Sequence, residues 1–357
     1  MLRETISTNE EVRVRDIGRA QLETHPDVLR RHRDEIAMKL VQVWESVLGR
    51  QTVGLTDDFF QLGGTSLQAG RLFAYIEDMF GIRLSFSVLL QSANIRDLSE
   101  VISNGGASNQ CSSLVEIQSG CGGRPPLFCI HGQSGNLLMY RNLAKHLGPD
   151  QPVYGLQPAE LNSDLHPLGS IEEMAAAYVI EIQTVQPHGP YFLAGFCMGG
   201  TIALEIAQQL RKQGETIDLL ALLETYNWRQ VRTTSFLHNL YYDLHRWWIA
   251  WRHFLQMPSG TKLKALQNRS AEMCSKSELS ERNMRLALSY VPRMYPGKIF
   301  HVCPKKQYAG YNRPEVNWDK LAVDGAEKFY LSNFPEQMLE EPFIRTLAAK
   351  LRSLTKR

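Results

Sequence analysis

Six short apolar runs, at residues 126–130, 153–156, 191–194, 219–223, 299–302 and 328–331, alternate with stretches of helical periodicity. No other feature of the chain limits its fold as strongly. Strands joined by helical crossovers pair in parallel, and a parallel sheet needs helices on both faces. The ends of the helices are marked. Ser170 with Glu173 forms a capping-box pattern that opens a helix reaching about residue 185. Another spans 198–213 with Gly214 as its stop, and a third spans 343–354. Residues 226–290 break the alternation with a helical pattern carrying Trp228, Trp247, Trp248 and Trp251. That stretch reads as a helical subdomain packing its aromatics, or as a lid over a substrate site. A membrane-surface helix fits poorly, since Asp243, His245 and Arg246 interrupt its apolar face.

Ahead of this region the pattern is helical only. Ile36, Leu40, Val43 and Val47 repeat at the spacing of one buried helix face, and Gly49 stops the helix. A second helix is expected to start near Ser66 and a last one to cover 95–102, which together make a small helical bundle. The turn-forming, weakly apolar run 104–113 reads as a linker. The 357 residues therefore divide into a lead-in (1–31), a helical domain (32–104), a linker (105–113) and an α/β domain (114–357) with its insertion at 226–290. Lys and Arg total 39 against 37 Asp and Glu, a formal charge of +2, which gives no electrostatic case for nucleic acid or an anionic membrane as partner. No apolar stretch reaches the roughly 18 residues of a membrane span. The N-terminus lacks the apolar core of a secretion signal, so a reducing cytoplasm is the expected compartment. The six cysteines show neither paired nor CxxC spacing, so no disulfide framework and no metal site is expected.

Two motifs carry chemistry. In Asp57-Asp-Phe-Phe-Gln-Leu-Gly-Gly-Thr-Ser-Leu67, two glycines permit a tight turn and leave Ser66 at a helix N-terminus with an exposed hydroxyl. Ser66 could be a plain N-cap, or it could bear an anion favoured by the positive helix end. The string resembles the attachment motif of acyl and peptidyl carrier proteins, and the resemblance extends over residues 32–104. It implies a four-helix carrier domain with 4′-phosphopantetheine covalently on Ser66, added by a phosphopantetheinyl transferase.

The second motif is Tyr191-Phe-Leu-Ala-Gly-Phe-Cys-Met-Gly-Gly200, which reads as strand, sharp turn, helix. Gly195-x-Cys197-x-Gly199 has the spacing of a nucleophile elbow, with cysteine in the serine position. A helix N-terminus is expected to lower the Cys197 thiol pKa and favour thiolate. The strand ending in His131-Gly-Gln-Ser-Gly-Asn136 supplies a loop for the second oxyanion donor. The backbone amides of Met198 and Gln133 are the expected pair, with His131 orienting the loop. Glu224, at the end of the 219–223 run, is the expected acid or else an ordinary strand-end carboxylate.

From residue 113 onward, these features and Gln186-Pro-His-Gly-Pro-Tyr191 resemble the type I thioesterases of the α/β-hydrolase superfamily, which end non-ribosomal peptide and polyketide assembly lines. The resemblance implies upstream condensation and adenylation domains, a tethered peptidyl substrate, and carrier–thioesterase contact within the chain. One part departs from it. That family closes with G-D-H-F-x-M-L, whose histidine is the general base, and here the aligned stretch is Ser332-Asn-Phe-Pro-Glu-Gln-Met-Leu-Glu-Glu-Pro342. Pro335 occupies the histidine position, and none of the ten histidines lies beyond residue 301. Either the domain is a silent docking module or the base has moved. His238, His245 and His253 share a helical face in the insertion, and His238 is the first candidate, His245 the second. His301, within a strand, and His188, at the far end of the sheet, rank lower. A cysteine acceptor exchanges one thioester for another and keeps the acyl group activated. Release by closure of a strained ring such as a β-lactam or β-lactone is therefore the leading expectation, with hydrolysis or macrocyclisation as alternatives.

Overall fold

A computed structural model of the chain describes residues 26–82, 84–85, 87–106, 113–121, 123–158, 168–226, 278–306 and 318–355. The chain divides at residues 109 and 110 into two compact units.

Among the described residues, the first unit has four helices: α1 (Pro26–Leu48), α2 (Ser66–Phe80), α3 (Val88–Gln91) and α4 (Ile95–Ser103). The periodic face of α1 is buried as its spacing requires, and Trp44, fully buried on the same helix, meets Phe59 edge-on at 5.1 Å. Gly81, at φ 65°, ends α2 in the left-handed conformation that glycine adopts without strain. Asn94 caps α4 by accepting the Asp97 N–H at 2.9 Å.

The second unit is a seven-stranded sheet in the order β1-β3-β2-β4-β5-β6-β7. Its strands are β1 (Leu114–Gln118), β2 (Leu127–Ile130), β3 (Val153–Leu156), β4 (Tyr191–Phe196), β5 (Ile217–Leu223), β6 (Ile299–Pro304) and β7 (Ala326–Leu331). Six correspond to the apolar runs. The seventh, β1, pairs antiparallel with β3 at the sheet edge, and only Val115 in it is buried. Its apolar residues Leu114, Val115 and Ile117 are interrupted by Glu116 and directly follow the linker, so no continuous apolar run marks the strand.

Among the described residues, the α-helices of the second unit are α5 (Arg141–Leu147), α6 (Ile171–Val185), α7 (Met198–Lys212), α8 (Glu278–Ser289), α9 (Trp318–Leu321) and α10 (Phe343–Leu354). They cover both faces, as the register shows. Leu222 and its partner His301 share one face of the sheet, where Leu222 packs into the core with Ile202 and Ile206 of α7. Ala221 and Phe300, one residue back, point the other way, and Lys350 of α10 lies 5.5 Å over the Phe300 ring. Ser170 caps α6 as expected, accepting the Glu173 N–H at 3.1 Å. The return arm differs from a capping box: Glu173 Oε2 takes the Gly169 N–H, not that of Ser170. Among the described residues, no helix is long and apolar enough to cross a membrane.

Candidate active site and attachment site

The attachment motif is built on close packing. A Cβ on Gly64 would fall 2.3 Å from the Phe59 ring and 2.6 Å from the Phe59 carbonyl, so this position admits no side chain. Gly63 turns at φ 90°. The chain then enters α2 through Thr65, which is extended (φ −106°, ψ 162°) and makes the capping box with Gln68. Thr65, not Ser66, is therefore the N-cap, and Ser66 is the first helical residue. A Ser66-linked phosphate diester would meet the positive end of a 15-residue helix beside a turn shaped by two glycines, so the site fits phosphopantetheine.

The elbow is tighter still. β4 ends at Phe196, and Cys197 takes φ 56° and ψ −119° before α7 begins at Met198. This strained backbone is possible because its neighbours are glycines. A Cβ on Gly195 would lie 2.1 Å from the Gly199 carbonyl oxygen, and one on Gly199 would lie 2.4 Å from the Ile130 oxygen and 2.5 Å from that of His131. α7 thus lies directly against β4 and β2. The Cys197 N–H donates to Leu223 O at 2.8 Å, which ties the turn to β5. Tyr140 braces it further, donating its hydroxyl proton to Ile130 O at 2.7 Å and accepting the Phe196 N–H at 2.9 Å.

Glu224 follows β5 immediately, is buried, and has φ 47°. Tyr226 donates its hydroxyl to Glu224 Oε1 at 3.3 Å. β4 and β5 pair Phe196 with Leu223, so Cys197 and Glu224 leave adjoining strand ends, and the carboxylate acts electrostatically on the thiol. The consequence reverses the expected thiolate. Burial, and then the Glu224 charge, push the Cys197 thiol up to about 12, while the Met198 N–H only partly opposes them. A half-buried sulfur beside an anion keeps its proton. The helix N-terminus does not outweigh this.

The oxyanion candidates lie at adjoining strand ends. Met198 opens α7, and Gln133 occupies a turn in which the Gly135 N–H donates to Gly132 O at 3.1 Å. His131 lies fully buried beneath it, with Nδ1 2.6 Å from Gly132 O and its ring edge-on to Tyr178. A carbonyl can only accept, so Nδ1 carries the proton. Burial lowers this histidine to about 4 and keeps it neutral at physiological pH. His131 orients the loop and is unsuited to act as the base.

Of the other described histidines, His32 lies exposed on α1 in the first unit, and the three in the second unit are engaged elsewhere. His146 pairs with Glu341 at 2.6 Å and His188 with Glu215 at 3.0 Å. His301 is buried in β6, 3.3 Å from Cys303 Sγ and edge-on to Trp318. After β7, Pro335–Gln337 forms a single 3-10 turn where the base was expected, and Asn333 before it is fully buried. His238, His245 and His253, with the four tryptophans of the insertion, lie outside the described residues. Cys121, Cys129, Cys197 and Cys303 form no disulfide. Sequence reasoning missed Tyr140 and Asn283, the latter joined to the oxyanion turn. Neither belongs to a motif.

Comparison with known proteins gives two domain matches: the phosphopantetheine attachment site over residues 39–102 and the thioesterase domain over residues 125–239. The chain is 37% identical over 193 residues to malpibaldin synthetase of Mortierella alpina, covering 54% of this chain and 4% of that protein. It is 36% identical over 187 residues to a dimodular nonribosomal peptide synthase of Bacillus subtilis (strain 168), covering 52% of this chain and 8% of that protein. A crystal structure of a holo four-domain nonribosomal peptide synthetase with bound AMP and glycine superposes on 91% of this chain and 26% of its own, with a TM-score of 0.58 at 25% identity. The chain thus spans a small part of the length of the relatives it matches.

Proposed function

In a chain that carries a phosphopantetheine-attachment domain followed by a thioesterase domain, we propose that Cys197 takes the peptidyl group presented on the carrier and releases it as product. The observation that carries this reading is a cysteine at a fully formed nucleophile elbow on the same chain as its own carrier. The pantetheine arm on Ser66 supplies the acyl group as a thioester. Cys197 Sγ attacks the thioester carbonyl and gives its proton to a base, while the displaced thiol is protonated as it leaves. Met198 N–H and Gln133 N–H stabilise the negative oxygen in between. The acyl group ends on Cys197, again as a thioester. It keeps its activation for attack by a nitrogen or oxygen of the product itself, with closure of a strained β-lactam or β-lactone ring ahead of hydrolysis or macrocyclisation. Upstream condensation and adenylation domains provide the peptide, and a phosphopantetheinyl transferase the arm. A reducing cytoplasm suits four cysteines that form no disulfide.

The protonated thiol makes a base more necessary. With a thiol at about 12, roughly one sulfur in 10⁵ is ionised at pH 7. Cysteine therefore does not make up for the loss of the family's histidine, and the base is assigned to His238, then His245, oriented by Glu224. The same observation favours a second reading, a silent module that binds but does not react. Intact-mass spectrometry of the pantetheinylated, peptidyl-loaded chain separates them. The enzyme reading expects an acyl group on Cys197 and a released product, both lost in Cys197→Ala. No acylation of the wild-type elbow would leave the docking reading. Full activity in both His238→Ala and His245→Ala would remove the relocated base, and mass analysis of the product decides ring against acid.

A further inference from the structure

We propose that Asn283 is a positioning residue for the oxyanion site, and that through it α8, the last helix of the 226–290 stretch, sets the aim of one of the two oxyanion donors. The inference rests on the proposed roles of Gln133 and Met198. It begins with the geometry of two consecutive peptide groups. In a trans peptide the C=O and the following N–H point in opposite directions. Gly132 O receives His131 Nδ1–H at 2.6 Å and Gly135 N–H at 3.1 Å, so the Gln133 N–H is turned the other way. The next peptide is held from outside the loop. Asn283 Nδ2–H donates to Gln133 O at 2.8 Å. With both flanking planes held, Gln133 has little freedom to rotate its N–H.

The connection is reciprocal. Gln133 Nε2–H donates to Ser280 O at 3.0 Å, one turn of α8 before Asn283. Asn283 is fully buried, and a carbonyl partner requires its NH2, not its oxygen, to face Gln133. The same element grips the other half of the site. Just after α8, Tyr290 donates its hydroxyl to Glu205 Oε2 at 2.8 Å, and Arg293 bonds both Glu205 oxygens at 2.9 and 3.1 Å. Glu205 is almost fully buried on α7, the helix whose first residue is Met198. α8 and the residues behind it therefore hold the turn bearing one donor and the helix bearing the other. A displacement of α8 would therefore change the spacing of the two N–H groups.

The test uses the full chain and two probes, a peptidyl N-acetylcysteamine thioester as substrate and the matching peptidyl aldehyde. The aldehyde adds to Cys197 Sγ as a hemithioacetal whose oxygen occupies the oxyanion site. Asn283→Ala should lower kcat by roughly 10- to 100-fold, since loss of a whole oxyanion donor costs 10²–10³. KM should stay within twofold, and aldehyde affinity should fall in step with kcat. Gln133→Ala, which loses only the side-chain arm, should show the same pattern at several-fold, and Asn283→Gln, which keeps a donor, should recover part of the loss. A purely structural role would lower the amount of active enzyme and leave the ratio of aldehyde to substrate affinity unchanged. That unchanged ratio, or wild-type kcat in Asn283→Ala, overturns the inference. Should Asn283→Ala fail to fold, the Gln133→Ala ratio decides. Wild-type protein that binds no aldehyde and forms no acyl-Cys197 would instead overturn the proposed function on which this rests.

Discussion

The two reactive positions of this chain both open helices behind glycines, yet the chain enters the two helices in opposite ways. At the carrier, Thr65 is extended, its hydroxyl and the Gln68 side chain close a capping box, and Ser66 follows as an ordinary helical residue. At the thioesterase elbow Cys197 is itself the N-cap, with φ 56° and no side-chain cap. The relaxed entry suits a residue that a separate enzyme must modify, since the cap of the helix is made by Thr65 and Gln68. The strained entry suits the nucleophile role proposed for Cys197, and it lasts only because β2, β4, β5 and α7 surround it. Strain at one site and its absence at the other mark positioned chemistry against simple attachment.

The largest effects separate chemistry from fold. Ser66→Ala should abolish pantetheinylation, seen as complete loss of the mass gain with a transferase and coenzyme A, while thermal unfolding of the carrier is unchanged because Thr65 keeps the cap. Glycine replacement reverses the contrast. Gly199→Ala places a methyl 2.4 Å from a backbone oxygen of β2, which cannot move without breaking the sheet, so a loss on the order of 3–5 kcal/mol is expected in denaturant unfolding. Gly63→Ala meets nothing within 4 Å and bears only the cost of its φ of 90°, about 1 kcal/mol. Equal losses at the two sites would break the comparison.

The thiol gives a prediction of opposite signs. Because Cys197 keeps its proton up to about 12, the rate of its alkylation by iodoacetamide should climb about tenfold per pH unit from 7 to 10 without levelling. Turnover should instead level where the base loses its proton. Glu224→Gln removes the charge that helps raise the thiol, so alkylation at fixed pH should speed up, by as much as roughly tenfold for each unit the thiol falls. Turnover should slow, because the acid that orients the base is gone. If both rates rise, Glu224 is a neighbouring charge and nothing more.

Much of this was legible from residues alone, and the misses share a cause. The apolar runs reveal β2 to β6 because those strands are mostly buried on both faces, and the edge strand β7 shows through Phe329-Tyr330-Leu331, whereas Glu116 interrupts the short edge strand β1. The two glycine-rich motifs are local, so their turns can be read along the chain. The Cys197 proton cannot, since burial and a carboxylate from the next strand outweigh the helix end that sequence makes visible. The Asn283 latch crosses 150 residues and follows no periodicity. Which of Thr65 and Ser66 caps α2 was equally hidden, because both are good caps and only the backbone angles choose between them.

That choice yields the smallest and most local prediction. Gln68 N–H donates to Thr65 Oγ1 at 3.3 Å, Thr65 N–H donates to Gln68 Oε1 at 3.0 Å, and Gln68 Nε2 also holds Val47 O at 2.9 Å at the end of α1. Thr65→Ala removes one arm and leaves the others, so it should cost about 1 kcal/mol. In a carrier of this size that is a fall of about 4–8 °C in Tm, followed by circular dichroism on the isolated unit if it folds alone and by hydrogen exchange in the full chain otherwise. Thr65→Ser should recover most of it, and pantetheinylation of Ser66 should proceed in both. At the elbow no comparable graded loss exists. Cys197→Ser leaves stability near wild type, because the side chain there caps nothing, and its whole effect should fall on acyl transfer.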